Sequence, residues 1–280
     1  MTALTPLRET VLAGTTRGLA WRLQQLQRLA ELLQAVEQPL LQALAADLGR
    51  PPLEAWIEWR GVRDELALTR RRLRAWMARR PLRTGLLQWP ARAWLQPEPL
   101  GCVLILAPWN YPFLLSLDPL ISALAAGNTV VLKPSEHAPA VAALLAERLP
   151  RHLPADVVRV VTGDAATARQ WLEEPFDHVF FTGGTAVGRE VMAAAARQLT
   201  PVTLELGGRN PCLVLDDADL PVAARRIVWG RFLNAGQTCL APDHVLVTPG
   251  LRRPLEEALV EAIDRKSTRL NSSHLVISYA

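Results

Sequence analysis

The apolar residues of the first eighty positions recur at helical spacing. Across residues 7–48, leucines return every three or four positions, which places them on one face of a helix. Gly49 and the prolines at 51 and 52 interrupt this period, and residues 53–80 predict a second long helix. A connection punctuated by prolines follows it, with Pro81, Pro90, Pro97 and Pro99. The chain is therefore predicted to begin with two long amphipathic helices.

After residue 100, short apolar runs alternate with helical stretches. The predicted strands are residues 102–106, 129–133, 157–161, 178–181, 202–206 and 212–215, and the predicted helices are residues 114–126, 137–148, 164–172 and 187–198. Nearly all-apolar strands that alternate with helices are typical of a parallel sheet covered on both faces. The predicted fold is α/β: a doubly wound, mostly parallel, Rossmann-like sheet preceded by N-terminal helices.

Four motifs rich in polar residues and glycine follow predicted strands. They are Pro108-Trp109-Asn110, Lys133-Pro134-Ser135-Glu136, Thr182-Gly183-Gly184 and Glu205-Leu206-Gly207-Gly208. Ligands of doubly wound sheets bind at the carboxyl ends of the strands. We therefore expect these motifs to share one site.

Each candidate in these motifs allows two interpretations. Glu205, flanked by leucines, is either a partly desolvated general base with a raised pKa or a strand-end side chain that points to solvent. Asn110 is either an oxyanion donor or the cap of the next helix. The glycines at 183, 184 and 188 fit a dinucleotide phosphate at a helix N-terminus, or a plain structural turn.

Cys239 differs from the other two cysteines. Cys102 and Cys212 lie in apolar strand runs and are interpreted as small core residues, whereas Cys239 lies in the polar turn Gly236-Gln237-Thr238-Cys239. A thiol in such a turn can be exposed, with its backbone amide free to bind an oxyanion. The three cysteines lack metal-ligand or disulfide spacing, so we expect no metal site and a reducing, cytoplasmic setting.

The formal net charge of +4 is concentrated in one cluster of arginines: Arg70, Arg71, Arg72, Arg74, Arg79, Arg80 and Arg83. We interpret the cluster as the solvated face of a helix that buries Leu66, Leu73, Trp76 and Met77, rather than as a surface for nucleic acid or lipid, because no recognition motif accompanies it. No segment has the pattern of a signal peptide or the length of a bilayer span. We expect neither nucleic acid nor a membrane as partner.

Two departures from the local composition are informative. Of 31 basic residues only Lys133 and Lys266 are lysines, and Lys133 ends a predicted strand. An ammonium group is a compact point charge that guanidinium does not replace, so we expect a specific role for Lys133.

Serine occurs three times in residues 1–264 and four times in residues 265–280, and we interpret 265–280 as a non-native tail.

Taken in order, five segments resemble the aldehyde dehydrogenase superfamily over about residues 7–264. They are Pro108-Trp-Asn-Tyr-Pro, Leu132-Lys-Pro-Ser-Glu, Phe181-Thr-Gly-Gly-Thr-Ala-Val-Gly, Leu204-Glu-Leu-Gly-Gly-Arg-Asn-Pro and Gly236-Gln-Thr-Cys-Leu-Ala-Pro-Asp. The short N-terminus and the Cys-Leu-Ala-Pro-Asp-His variant look most like the class 3 branch. Members of that branch oxidise medium- and long-chain aliphatic and aromatic aldehydes.

The resemblance implies NAD(P)-dependent oxidation of an aldehyde to a carboxylic acid. Cys239 would form a thiohemiacetal and then a thioester, Asn110 would hold the oxyanion, and Glu205 would activate the hydrolytic water. NAD is the expected cofactor, with NADP as the alternative. The residues implied in cofactor binding are Trp109, Lys133, Glu136, Gly183, Gly184, Thr185, Gly188 and Leu206.

Relatives continue past the cysteine with a Glu-x-Phe-Gly-Pro motif and the rest of a catalytic domain. The resemblance thus implies that residues 1–205 form the N-terminal helices and NAD(P)-binding domain, and that residues 206–264 begin an incomplete catalytic α/β domain. We expect the fragment alone to be inactive and its full-length form to be a homodimer. Two alternatives stay open: a non-catalytic nucleotide-binding fragment, and a dehydrogenase that passes the acyl group to coenzyme A.

Overall fold

The computed structural model describes residues 4–270. Its N-terminal layer consists of α1 (Thr5–Leu12), α2 (Leu19–Leu48) and α3 (Pro52–Trp76). The prediction of one continuous helix over residues 7–48 was wrong. Gly14 adopts a left-handed φ of 76°, and a 3₁₀ turn at Thr15–Arg17 separates α1 from α2. Glycine takes this conformation without steric cost, and a left-handed residue ends a helix.

The connection after α3 contains an antiparallel pair that the hydrophobic pattern did not predict. β1 (Arg80–Leu82) pairs with β2 (Ala93–Leu95). The helix predicted over 53–80 therefore ends at Trp76, whose side chain is exposed rather than buried as expected. Strands of three residues are too short to show a period-2 signal, and β1 also contains Pro81, which explains why the pair was missed.

The central sheet has five parallel strands. They are β3 (Cys102–Leu106), β4 (Thr129–Lys133), β5 (Val158–Val160), β6 (His178–Gly183) and β7 (Val202–Leu206). Their spatial order is β5-β4-β3-β6-β7. The chain first winds outward from β3 to β5 and then returns to the other side of β3, so the winding direction reverses between β3 and β6. A crevice at this switch point is where doubly wound sheets bind ligands.

Helices cover both faces of this sheet, as predicted. They are α4 (Leu114–Ala126), α5 (Pro139–His152), α6 (Ala165–Leu172) and α7 (Thr185–Ala196). Alternate residues of β3 enter two cores: Val103 and Ile105 pack with α2 to α5, whereas Leu104 and Leu106 pack with α1, α6 and α7. Within residues 4–270 no helix combines the length and hydropathy needed to cross a bilayer.

A second, smaller parallel sheet follows. β8 (Asn210–Val214) and β9 (Pro242–Val247) pair with each other, α8 (Leu220–Phe232) connects them, and α9 (Arg252–Leu270) follows β9. The division of the chain at residues 205 and 264 stays a prediction. The proposed non-native tail also stays a prediction: its first residues continue α9, and residues 271–280 lie outside the described part of the chain.

Asp118 on α4 gives the fold a dependence on pH. Its Oδ1 is buried without a hydrogen-bond partner, and burial, followed by repulsion from Glu65, raises the pKa of Asp118 to about 7. A carboxyl with a raised folded pKa keeps its proton in the folded chain while the unfolded chain releases it, so its contribution to stability decreases as pH rises from about 4 to about 7.

We therefore expect Asp118→Asn to be more stable than the unchanged chain at pH 8, by roughly 1–2 kcal/mol after allowance for partial solvent screening. At pH 4 the two proteins should have similar stability, because Asp118 is then protonated. Urea unfolding at both pH values measures the difference, with Asp217→Asn as the exposed control. A difference that is the same at pH 4 and pH 8 would contradict the prediction.

Candidate active site

A cleft of about 1040 Å³ opens at the carboxyl ends of the central strands, at the switch point between β3 and β6. Nine of the eleven residues predicted from the sequence line it: Cys239, Glu205, Asn110, Trp109, Lys133, Glu136, Gly183, Gly184 and Leu206. The other two, Thr185 and Gly188, lie in the first turns of α7 and do not line the cleft. The carboxyl ends of the central strands, the loop between α8 and β9, and the start of α7 thus meet around one cleft.

Cys239 lies on the loop between α8 and β9, and its side chain is exposed. This loop begins with three successive left-handed residues: Asn234 (φ 51°), Ala235 (φ 53°) and Gly236 (φ 81°). The left-handed conformation costs about 1–2 kcal/mol for a residue with a Cβ, so side-chain contacts must hold the loop. One of them comes from the first residue of β8, Asn210, whose Nδ2 donates to the Cys239 carbonyl at 2.6 Å.

Asn110 faces this loop from the end of β3. Its Nδ2 donates to the carbonyl of Gln237 at 2.9 Å, two residues before Cys239. An amide carries two hydrogens, so this bond leaves one for a ligand in the cleft. The capping interpretation was wrong: Phe113 is the N-cap of α4, and the amides of Phe113 and Leu114 donate to Glu58 instead.

Glu205 lines the cleft near the end of β7, opposite Thr182 of β6. Of the two interpretations of Glu205, the structure agrees with the solvent-facing one, because the Glu205 side chain is exposed. Neighbours along a strand face opposite sides of a sheet. Leu204 and Leu206 pack toward the core that contains α7, and Glu205 therefore points away from it.

Lys133 and Glu136 form the opposite wall of the cleft. Lys133 ends β4 with 5% of its side chain exposed, and its Nζ donates to Glu136 Oε2 at 2.9 Å. Burial alone would raise the pKa of Glu136, but the hydrogen bond and charge of Lys133 lower it below its usual value. The wall thus presents an ionised carboxylate beside a buried ammonium group.

The N-terminus of α7 opens onto the same cleft. Gly184 is its N-cap, no side chain caps the helix, and a Cβ at Gly184 would meet nothing within 4 Å. A Cβ at Gly183 would lie 2.5 Å from Phe181, and one at Gly188 would lie 2.7 Å from Leu206. Free helix amides beside a glycine turn fit a phosphate group, so these residues fit the pyrophosphate of a dinucleotide.

The sequence matches the profile of the "Aldehyde dehydrogenase family" over residues 15–273. The chain belongs to this family. A curated relative, aldehyde dehydrogenase family 3 member B1 from Rattus norvegicus, is 47% identical over 94% of this chain and 56% of its own length. Another, "Aldehyde dehydrogenase, dimeric NADP-preferring" from Canis lupus familiaris, is 42% identical over 94% of this chain and 60% of its own. The family 3 relatives agree with the class 3 likeness of the motifs.

Solved structures of aldehyde dehydrogenases share the fold. The substrate-bound state of AldH from Staphylococcus aureus superposes with a TM-score of 0.90 at 36% identity, over 94% of this chain and 58% of that one. An NAD-dependent aldehyde dehydrogenase from Sinorhizobium meliloti superposes at 0.85 with 34% identity, over 94% of this chain and 53% of that one. Relatives therefore use NAD or NADP, and this aldehyde dehydrogenase chain spans about half the length of those it matches.

Sequence reasoning missed the buried groups behind the cleft. Arg50 and Glu58 form an ion pair with both side chains almost fully buried, and Arg50 also contacts Asn234 and Asn110. Burial lowers the pKa of Arg50 to about 10, and the charges of Tyr111 and Glu54 oppose this shift. Asn110 and Asn234 lie 60 and 184 residues away from Arg50 along the chain, so no local pattern could have indicated these two contacts.

The exposure of the cysteines gives a direct test of the site. We expect iodoacetamide at pH 8 to alkylate Cys239 first, and Cys102 at least about 100-fold more slowly. Cys102 is fully buried, and burial raises its pKa to about 12, so it should resist alkylation even at pH 10. Peptide mapping by mass spectrometry measures each rate, and labelling in denaturant is the control. Equal rates for Cys102 and Cys239 in the folded chain would refute the arrangement.

Proposed function

We propose that this chain carries the nucleophile and the cofactor-binding site of an NAD(P)-dependent aldehyde dehydrogenase. The proposed substrate is a medium- or long-chain aliphatic aldehyde or an aromatic aldehyde, and the product is the carboxylic acid. The observation that carries the proposal is one cleft that joins the exposed Cys239 thiol, the Asn110 amide and the Glu205 carboxylate to the Lys133–Glu136 wall. The family match supports the reaction class.

In the first stage the Cys239 thiolate attacks the aldehyde carbon. A carbon–sulfur bond forms, and the carbonyl electron pair moves to oxygen. The Asn110 amide and the backbone amide of Cys239 stabilise this oxyanion of the thiohemiacetal. Hydrogen-bond donors aimed at developing charge are among the largest contributions to such catalysis. A nicotinamide cofactor held in the cleft would supply the hydride acceptor that conversion of the adduct into a Cys239 thioester requires.

In the second stage Glu205 takes a proton from water, and the water oxygen attacks the thioester carbon. The tetrahedral adduct collapses, the carbon–sulfur bond breaks, and the Cys239 thiolate is released with the carboxylic acid. Two-stage covalent chemistry divides one difficult oxidation into capture and hydrolysis. Glu205 suits this role because it is exposed in the cleft, where water reaches it.

The cofactor is proposed to bind with its pyrophosphate at the N-terminus of α7 and its adenosine ribose against the Lys133–Glu136 wall. A carboxylate accepts hydrogen bonds from ribose hydroxyls and repels a 2′-phosphate, which favours NAD. The ion pair with Lys133 offsets part of that repulsion, which is consistent with NADP as an alternative. The remaining proposed contacts are Trp109, Thr185, Gly188 and Leu206.

We also propose a homodimer for the full-length form, because one relative carries "dimeric" in its name. A reducing, cytoplasmic setting is supported by the three cysteines, which are all free.

The two alternatives to the proposed reaction are a nucleotide-binding fragment without turnover and a dehydrogenase that passes the acyl group to coenzyme A. The experiments below distinguish them.

For the full-length gene product, we expect aldehyde-dependent reduction of NAD or NADP that Cys239→Ala lowers by at least about 10³-fold. Cys212→Ala is the matched control, since Cys212 is half-buried away from the cleft and should leave turnover within about two-fold. Absorbance at 340 nm measures turnover. Nucleotide binding without reduction would favour the non-catalytic alternative.

The same assay tests Glu205. Glu205→Gln should retain a burst of about one reduced cofactor per Cys239 and then slow by about 10²-fold or more, because the thioester accumulates. Intact mass spectrometry detects the acylated protein. If coenzyme A accelerates the reaction and acyl-coenzyme A replaces the free acid, the acyl-transfer alternative is correct instead.

Cofactor choice is tested with Glu136→Gln. Removal of the carboxylate's charge should shift the ratio of kcat/KM for NAD to that for NADP toward NADP by about 10-fold, through weaker repulsion of the 2′-phosphate. Glu147→Gln, which removes an exposed carboxylate on α5 outside the cleft, is the control. An unchanged ratio in Glu136→Gln would argue against the assignment of the ribose site to this wall.

A further inference from the structure

A buried cluster formed by Arg50, Glu58 and Asn234 lies directly behind the cleft. Arg50 follows α2, is 3% exposed, and forms an ion pair with Glu58 of α3. One nitrogen of its guanidinium group, Nη2, donates both to the Asn110 carbonyl at 2.5 Å and to Asn234 Oδ1 at 2.7 Å. One side chain from the N-terminal helices thus contacts the two loops that carry Asn110 and Cys239.

Asn234 belongs to the Cys239 loop and bonds to the Asn110 loop. Its Nδ2 donates to the Asn110 carbonyl at 2.7 Å, and its backbone amide donates to Glu54 Oε2 at 2.8 Å. Its φ of 51° starts the left-handed segment that leads to Cys239. A backbone in a sparsely populated conformation persists only when its surroundings over-determine it, and here the surroundings are Arg50, Glu54 and the Asn110 carbonyl.

We propose that Arg50 and Asn234 are positioning residues that hold the Asn110 loop and the Cys239 loop as one unit. They do not line the cleft; they act through the residues that do. The Asn110 carbonyl accepts from both of them, which fixes the backbone from which the Asn110 amide is directed to Gln237. The inference rests on the proposed function, in which these loops supply the oxyanion donor and the nucleophile.

A positioning role and a merely structural role make different predictions. If the cluster only stabilises the fold, its loss lowers the unfolding temperature and leaves kcat per folded active site unchanged. If it aligns the oxyanion donor with the thiol, its loss lowers kcat and kcat/KM together with little change in KM, because the lost interaction acts in the transition state.

Two variants separate these outcomes in the full-length gene product. Asn234→Gly keeps the freedom to adopt a left-handed φ but removes the side-chain bonds to Arg50 and Asn110. Arg50→Lys keeps a positive charge against Glu58 but replaces the planar fork by a point donor. Arg22→Lys is the matched control, because Arg22 is also buried and bonds two carbonyls, those of Thr16 and Ala125, outside the cleft.

We expect Asn234→Gly to lower kcat about 10- to 100-fold with KM for the aldehyde within about two-fold, and Arg50→Lys to fall between it and the unchanged protein. Arg22→Lys should leave kcat per active site unchanged even where it lowers the unfolding temperature. Alkylation of Cys239 counts the active sites.

Hydrogen exchange supplies a readout that does not depend on turnover. Asn234→Gly should increase amide exchange in residues 107–111 as well as in 234–239, because the two loops lose their common support. Unchanged exchange at 107–111, or an unchanged kcat, would overturn the proposal. If the unchanged protein shows no aldehyde-dependent reduction of NAD or NADP, the proposed function fails, and the exchange measurement alone decides whether the two residues join the loops.

Discussion

The buried ion pair between Arg50 and Glu58 is the constraint on which the candidate active site depends. Two charges withdrawn from water need further hydrogen bonds to offset the lost hydration. Glu58 also accepts from the first amides of α4, and Arg50 also donates to both loops behind the cleft. Loss of one partner of such a pair costs about 3–5 kcal/mol. The loop that carries Cys239 therefore takes part of its shape from the N-terminal helices, in addition to its bonds with Asn110 and Asn210.

The two ends of the cleft are built in different ways. At the proposed nucleotide end, regular structure does the positioning: Lys133 is the last residue of β4, and the free amides belong to the first turn of α7. At the proposed chemical end, side chains hold irregular backbone, as in the bonds of Asn110 to Gln237 and of Asn210 to Cys239. A rigid scaffold with catalytic groups on supported loops combines a fixed binding frame with precise placement of the reacting atoms.

The local sequence pattern was sufficient to predict the strands of the central sheet and most of the candidate residues that line the cleft. The five strands and their helices follow hydrophobic periods, and the rule that ligands bind at the carboxyl ends of the strands predicts that Glu136, Gly184 and Glu205 share one site. What the pattern missed or left open has identifiable causes. Gly14 breaks a helix through a backbone conformation that periodicity does not encode. The exposure of Glu205 follows from leucine neighbours that face the opposite side, and Asn110 and Asn234, which Arg50 contacts, are remote from it in sequence.

β3 has all five of its residues buried, and its alternate side chains belong to two cores on opposite faces of the sheet. Loss of the helices from either face would expose the β3 side chains on that face, so both helical layers depend on the same strand. Regions that open together in this way form a single cooperative unit. The half of the molecule that is built on this sheet should therefore melt as one body, with β3 among the last segments to exchange its amide hydrogens.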